Sequence, residues 1–600
     1  MTLGKSPTSE DAFRSGAGFC RDRVSETSIY GLLYRESHRL FPDEAFADLF
    51  ADIGRASVPP RIVSVVMVLQ RLEGLSDREA ADRITFDLRW KYAAGGLDFD
   101  YAGFVHTVLV DMRARLRRSD RPNRIFETGL EVARQAGLIG RKRVMDSTAL
   151  YDAVATQDTV TLIRSAIRAL LRIVDEKLAE ELRSCCKRDD DYAAPGKPSC
   201  DWDDAVAREA LVDALARDAY AILMMLDGRT LDLEVTQAAK LVATVVGQDL
   251  EQRDDGMFYI ARRVAKDRVI STVDPEARHG HKTAARGFDG YKGHIAIDPD
   301  SEIITATEVT PGNASDGSAA DVLLADVLSP SSTKDSPTES APASVDADIA
   351  IDPDSEIVMA TEVTPGNASD GSTAEALGDD VLPPSSTKDG SLADALASTE
   401  AIEVTSSESS DAVPARVQIY GDASYGTADI VDKIEAAGAE ANVKVQAPSA
   451  RADHFGKDAF DIDLDAQTVK CPADVLVQIR KTSDGGGIAM FAAPCGSCAL
   501  RPRCTDAKAG RVVNIHRKEA TLQRSRARQS SPAWKKDYRA TRPKVERKLA
   551  HLMHRRHGGR RARVRGSERT RQDFALLAAA HNLARLARLG AQFVGATWVC

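Results

Sequence analysis

The sequence predicts an α/β protein on three observations: strand-like runs are short and far apart, helical stretches separate them, and helix-rich blocks flank the set. The strand candidates are Arg143-Val-Met145, Lys292 to Ile297, Ile303 to Val309, Arg416 to Tyr420 and Asn442 to Gln446. A chain of 600 residues exceeds what one hydrophobic core organises, so roughly two to four domains are expected.

Residues 1–140 read as a helical domain. Pro59-Pro60 precedes the apolar helix Ile62 to Leu72, and Ser76-Asp77-Arg78-Glu79 is a capping-box sequence opening a helix over Glu79 to Leu88. The first part of the α/β core spans 141–454. Within it, about 155–255 reads as a helical insertion, because Thr159 to Leu182 and Ala205 to Leu226 show helical spacing around a polar loop at Asp189 to Asp201. Ala428 to Ala437 is a further helix between strands, and a helix-rich block runs from Pro532 to Leu589.

An internal duplication lies at about 295–402. Ile295-Ala-Ile-Asp-Pro-Asp-Ser-Glu-Ile303 recurs as Ile349-Ala-Ile-Asp-Pro-Asp-Ser-Glu-Ile357, and the likeness continues through 307–317 and 361–371 to Pro-Ser-Ser-Thr-Lys-Asp at 330–335 and 384–389. Each copy reads as a β-hairpin turned at Asp-Pro-Asp-Ser, with a weakly helical acidic tail. Residues 383–414, rich in Ser, Thr and Pro, read as a linker.

Charge is unevenly placed. The net charge is −10, yet residues 298–411 hold 25 Asp/Glu against two Lys, so the rest of the chain carries +13. From Arg511 to Arg571 there are 21 Lys/Arg against four acids. A basic protein of this kind expects a nucleic-acid partner. With no apolar stretch of about 18 residues and no apolar leader behind Met1, a cytoplasmic location and no membrane partner are expected. Nine cysteines, four of them late and clustered, fit reduced thiols better than a disulfide framework.

Three acids stand where chemistry is expected. Asp146 follows Arg143-Val-Met145 and Asp422 follows Val417-Gln-Ile-Tyr-Gly421, so both sit at the C-terminal edge of a strand, where open α/β sheets place their sites. Glu546 lies inside a helix that Thr541 can cap and Pro543 can start, running to a stop at Gly558-Gly559. Three carboxylates from separate elements suit two Mg²⁺ (or Mn²⁺) ions about 3.5–4 Å apart, with the acids acting as anionic ligands rather than proton carriers. A lone Asp at a strand end is more commonly a turn or cap residue, so spacing alone does not select these three.

The chain resembles bacterial insertion-sequence DDE transposases with a ribonuclease-H-like core, in the group with a cysteine-bearing insert after the second acid. The resemblance rests on Val144-Met-Asp-Ser-Thr148, Phe288-Asp-Gly-Tyr-Lys292, Tyr420-Gly-Asp-Ala-Ser-Tyr-Gly426 and Arg542-Pro-Lys-Val-Glu-Arg-Lys548, with Leu75-Ser-Asp-Arg-Glu79 and Ala580-His-Asn-Leu-Ala-Arg-Leu586 in the family's order. It implies a mixed ribonuclease-H-like sheet and DNA strand transfer, with DNA (element ends and target) as partner and a homodimer in the DNA complex. It further implies Asp146, Asp422 and Glu546 as the Mg²⁺-binding catalytic trio. Relatives carry a Tyr and an Arg before the third acid, which map onto Tyr538, one residue off the family spacing, and Arg542. Where relatives place a trailing basic residue this chain has Met553, so Arg555 or Arg556 would have to substitute. Only the first repeat follows the family lead-in, Asp289-Gly-Tyr-Lys-Gly-His294; the second follows Ser344-Val-Asp-Ala-Asp348. The first is therefore expected in the sheet and the second outside it, although the second is nearer in sequence to the Asp422 strand.

Arg542, four residues before Glu546, shares its helix face and could grip a phosphate, or form an ordinary surface ion pair. Lys544, Arg547, Lys548, Arg555, Arg556, Arg560 and Arg561 are the expected phosphate contacts in the basic helical end, 511–600. In the insert, 455–510, Cys471, Cys495, Cys498 and Cys504 could hold a structural Zn²⁺, be buried or redox-inert thiols, or include a reactive thiol. The N-terminal helices, with a helix-turn-helix-like Ser76 to Arg89 and Arg113, Arg115, Arg117 and Arg118, could read the element ends. Alternatively they form a dimerisation or packing domain with Trp90 and Tyr92 as core aromatics. Two other functional readings stay open: a metal-dependent nuclease without strand transfer, and an inactive remnant that only binds DNA.

Overall fold

The computed structural model describes residues 1–5, 15–152, 156–190, 192–283, 286–328, 416–448, 450–451 and 453–600. After a one-turn helix at Gly16–Cys20, six longer helices lead: α1 (Ile29–Leu40), α2 (Pro60–Glu73), α3 (Asp77–Phe86), α4 (Leu88–Ala93), α5 (Thr107–Arg118) and α6 (Arg124–Gln135). Pro60 occupies the first turn of α2, where its missing N–H has no partner to lose, and Gly74 ends that helix at φ 70°. The Ser76–Glu79 capping box is formed and opens α3. Trp90 is fully buried, its indole N–H donating to Glu73, and Tyr92 stacks on Tyr34 at 4.1 Å, so both are core aromatics.

Strand β1 (Lys142–Tyr151) begins the core. The expected helical insertion follows as α7 (Thr159–Ile173), α8 (Glu176–Cys185), α9 (Ala205–Leu226) and α10 (Leu233–Asp249), around a hydrophobic cluster of its own. The stretch expected as one helix from Thr159 to Leu182 breaks at Asp175, which caps α8 through its carboxylate. The chain then returns through β2 (Arg278–Thr283), β3 (Arg286–Ile297) and β4 (Ile304–Pro311). After residues 329–415 come β5 (Gln418–Gly421), α11 (Ala428–Ala436) and β6 (Glu440–Val443).

These strands form one mixed sheet in the order β2-β3-β1-β5-β6, with β4 also paired to β3. β3 is antiparallel to β1 and β4, whereas β1, β5 and β6 run parallel, the ribonuclease-H-like arrangement. The first repeat copy is thus the β3–β4 hairpin, its turn held by Asp298, whose carboxylate accepts from the amides of Asp300 and Ser301. The second copy, 349–363, lies outside the described residues, as does the expected linker.

An antiparallel meander follows, β7 (Asp461–Asp463), β8 (Thr468–Lys470), β9 (Leu476–Lys481), β10 (Gly487–Met490) and β11 (Val512–Ile515). The cysteine-bearing insert therefore contains a sheet and extends to Ile515, beyond the boundary expected at residue 510. The chain closes with α12 (Glu519–Ser530), α13 (Pro532–Thr541), α14 (Pro543–Leu552) and α15 (Ser567–Arg588).

Side-chain alternation divides the sheet between two cores. Val144, Ile295, Ile297 and Tyr420 face one way, into a cluster with Val545 of α14, Phe574 and Leu577 of α15, and Leu69 and Leu130 of the N-terminal helices. Met145, Ala296 and Ile419 face the other way, against Ile430, Val431 and Ile434 of α11. Gly293 keeps β3 bare beneath α15, for a Cβ there would stand 2.8 Å from the Phe574 ring. The N-terminal helices share the core's principal cluster and pack on α15 through α2 and α6, so they are not a freestanding domain. No helix among the described residues is long and apolar enough to cross a membrane.

Candidate active site

Register and alternation bring the first two acids together. Val144 of β1 pairs with Tyr420 of the parallel β5, so two residues further on Asp146 comes beside Asp422. Both keep the parity of Val144 and Tyr420 and so face α13 and α14. Those helices are nearly one: Arg542 between them is helical at φ −59° and ψ −40°, and Pro543, without an N–H, costs a single backbone bond. Thr541 is therefore not the helix cap expected from sequence; it is the buried last residue of α13.

Tyr538, Arg542 and Glu546 follow one another at four-residue intervals along this helical pair. The Arg542 guanidinium lies among the three acids. Its Nη2 is 2.9 Å from Asp146 Oδ1 and 3.9 Å from Asp422 Oδ2, and its Nη1 donates to Glu546 Oε1 at 3.2 Å. The i, i+4 pair is real, but Arg542 is buried, at 6% exposure, instead of lying on the surface. The Tyr538 hydroxyl donates to the carbonyl of Gly421 at 3.0 Å and its ring stacks on Trp534 at 4.6 Å. The Tyr420 hydroxyl donates to Asp537 at 2.6 Å, so α13 grips the end of β5 at the two residues that lead into Asp422.

Burial pushes the Asp146 carboxyl up to about 6; Arg542 and the Ser147 amide pull it down, and Asp422 pushes it further up. Burial also works against the Arg542 charge, but Asp146, Tyr538, Glu546 and Asp422 outweigh it and the net direction is up. Burial raises the Tyr538 hydroxyl to about 12, keeping it a donor. In donor chemistry the site fits a divalent metal, since three hard carboxylates are gathered round one buried cation. Among the described residues, though, no three His, Cys, Asp or Glu side chains stand close enough to share an ion as they are.

A second layer escaped the sequence reading. Ser147 Oγ donates to Asp316 Oδ2 at 2.8 Å, and Lys292 Nζ donates to Asp316 Oδ1 and to the Ala314 carbonyl, both at 2.8 Å. His294 shares hydrogen bonds with Tyr425 and Thr310, and burial lowers it to about 4, so the imidazole is neutral. Lys292, His294 and Tyr425 lie within the quoted motifs. Asp316 was visible only as part of the duplicated Asn-Ala-Ser-Asp, where the repeat drew attention from the residue.

The expected phosphate contacts separate. Lys544 pairs with Asp300 at 3.0 Å and Arg547 with Glu302 at 2.6 Å, both acids of the β3–β4 turn. Lys548 is buried, and that burial lowers its ammonium to about 8. Arg555, Arg556, Arg560 and Arg561 are exposed, and Met553 is buried. The Arg560 carbonyl accepts from the Tyr151 amide, which brings that basic loop to the end of β1. On the N-terminal helices Arg113 pairs with Asp77, and Arg115 lies over the Phe50 ring.

All four cysteines of the insert line one cavity of about 260 Å³, together with Phe455, Phe460 and Phe491. They are free thiols, and burial raises that of Cys504.

Three family models match the chain. One described as Transposase domain covers 21–115, the N-terminal helices; one described as Transposase DDE domain covers 261–336, including β2 to β4. A second Transposase DDE domain model covers 471–587, from Cys471 through Glu546 into α15. No curated protein and no solved structure matches. With these matches in chain order and a ribonuclease-H-like sheet, the chain belongs to the insertion-sequence DDE transposases, enzymes that process DNA.

Proposed function

We propose that the protein cleaves DNA at the ends of an insertion element in a metal-dependent reaction and joins the exposed 3′-hydroxyl to a target phosphodiester. One observation carries this reading: Asp146, Asp422 and Glu546, from two parallel strands and a helix, gather round the buried guanidinium of Arg542. Asp146, Asp422 and Glu546 would hold two Mg²⁺ or Mn²⁺ ions, which when bound activate the attacking oxygen and stabilise the leaving one.

The protein's own side chains do the rest. Asp146 and Asp422 are fixed by strand register and supply anionic oxygens from one face of the sheet. Tyr538 holds the Gly421 carbonyl and so fixes the backbone entering Asp422. Arg542 offers a planar fork for a phosphate. Arg555, Arg556, Arg560 and Arg561 are free to bind backbone phosphates, with an affinity that falls steeply as salt rises; Lys544 and Arg547 join them when they leave Asp300 and Glu302. Two element ends call for two active sites, hence a homodimer on DNA.

Cys471, Cys495, Cys498 and Cys504 are read as a thiolate set for one structural Zn²⁺, a reading supported by their shared cavity. Metal analysis of freshly purified protein should find about one zinc per chain, lost when Cys495 and Cys498 are both serine. Protein that has met no chelator and holds no zinc contradicts this.

The central test uses supercoiled DNA carrying element ends. Asp146→Asn, Asp422→Asn and Glu546→Gln should each abolish Mg²⁺-dependent cleavage and joined product while DNA binding in a mobility-shift assay persists. Near-wild-type cleavage by any one variant removes that residue from the site. Cleavage without joined product would make the protein a nuclease.

A further inference from the structure

Arg542 does more in this arrangement than a phosphate-gripping residue needs to. A guanidinium that pairs stably with a carboxylate commonly presents both prongs to one partner. Here the prongs are divided, Nη2 toward Asp146 at 2.9 Å and Asp422 at 3.9 Å and Nη1 toward Glu546 at 3.2 Å. The remaining donor, Nε, is buried without a hydrogen-bond partner. Arg542 thus gives up one hydrogen bond to stand between three acids. No other basic side chain near the catalytic helix does this: Lys544 and Arg547 pair with the β3–β4 turn, and Lys548 is buried beside Glu302.

We infer that Arg542 is a resident counter-cation, which holds the three acids together in the DNA-free protein and competes with divalent ions for the same oxygens. This rests on the metal-binding trio proposed above. Three carboxylates, Asp146 buried and Asp422 and Glu546 more open to solvent, repel one another around one point, and one guanidinium relieves that repulsion in part. The oxygen of Asp146 that accepts from Nη2 cannot also face a dication while the guanidinium remains, because the two cations would meet across one atom. A DNA phosphate gives the guanidinium another planar, doubly accepting partner. Substrate and metal therefore load cooperatively: DNA draws Arg542 away, and the acids become free to take the ions. In the absence of DNA the acids are kept from free metal.

The test measures Mn²⁺ affinity of the full chain by the electron paramagnetic resonance signal of free Mn²⁺, with and without duplex DNA. Arg542→Gln should bind Mn²⁺ about tenfold more tightly than wild type without DNA, an ordinary size for such coupling. Adding DNA should tighten Mn²⁺ binding by the wild type and leave Arg542→Gln unchanged. In EDTA the variant should melt below the wild type and recover when Mn²⁺ is added. If Arg542→Gln keeps its circular dichroism yet binds Mn²⁺ as wild type or more weakly, the inference is overturned. Where that equality is seen and Asp146→Asn abolishes binding, the metal trio stands and the counter-cation alone falls. Should neither wild type nor variant bind Mn²⁺ even on DNA, both readings fall.

Discussion

Lys548 shows how a single residue departs from what its neighbours in sequence suggest. It follows Arg547 and precedes an exposed turn of basic residues, yet it faces the core beside Glu302, with Arg585 and Arg588 nearby. Burial first, then those two arginines, bring its ammonium from near 10.5 down to about 8, against the pull of Glu302. The folded value lies below the unfolded one, so between these limits the unfolded chain holds more protons and stability rises with pH. Below about pH 8 the whole penalty is felt, about 3 kcal/mol at most. Lys548→Met, of similar length and without charge, should melt a few degrees above wild type at pH 7, with the difference shrinking toward pH 10. A lower melting temperature at both pH values would show that the Glu302 contact outweighs desolvation. The acids were easier to read, since Asp146 and Asp422 each follow an apolar run, which is a local signal; Asp422 does lie just past the end of β5, but Asp146, expected at a strand end, sits inside β1 because that strand continues to Tyr151 to pair with β3. The burial of Lys548 and the ties of Asp316 to Ser147 and Lys292 depend on partners distant in sequence, which no local pattern encodes.

At the scale of elements, the β3–β4 hairpin occupies the only place in the described sheet that a repeat copy fills. Asn582 of α15 bonds both backbone groups of Ile304 at 2.8 Å, and Arg585 donates to the Ser301 carbonyl. Beyond the hairpin, Ala319 and Leu324 are fully buried against α11. The second copy has Thr373 and Gly378 at the corresponding positions, and Val358 for Ile304. Losing one buried leucine side chain costs about 2–5 kcal/mol, so the slot favours the first copy without recourse to its lead-in. Removal of 349–402 should leave thermal unfolding and DNA cleavage unchanged; collapse of the fold would show that the second copy is built into it. The hairpin was legible because Asp-Pro-Asp-Ser lies between two alternating apolar runs. The five-stranded meander was not, for its strands are three to six residues long and mostly half-exposed, leaving too little alternation to register. The four thiols pointed to the region but not to its sheet.

Across the whole molecule, one continuous cluster from Ile29 to Trp598 joins the N-terminal helices to the sheet. Amphipathic helices announce an apolar face but not what covers it, so α2 and α6 could not be assigned to α15 from sequence. That packing has a consequence for the newborn chain. Helix α15 is translated long after the helices it covers, and Glu546 emerges only after the insert and meander have passed. Until then the faces of α2 and α6 that α15 covers lack their partner, and Asp146 and Asp422 lack Glu546. A message broken before the codon for Glu546 therefore yields a polypeptide that neither buries its core nor gathers its third acid.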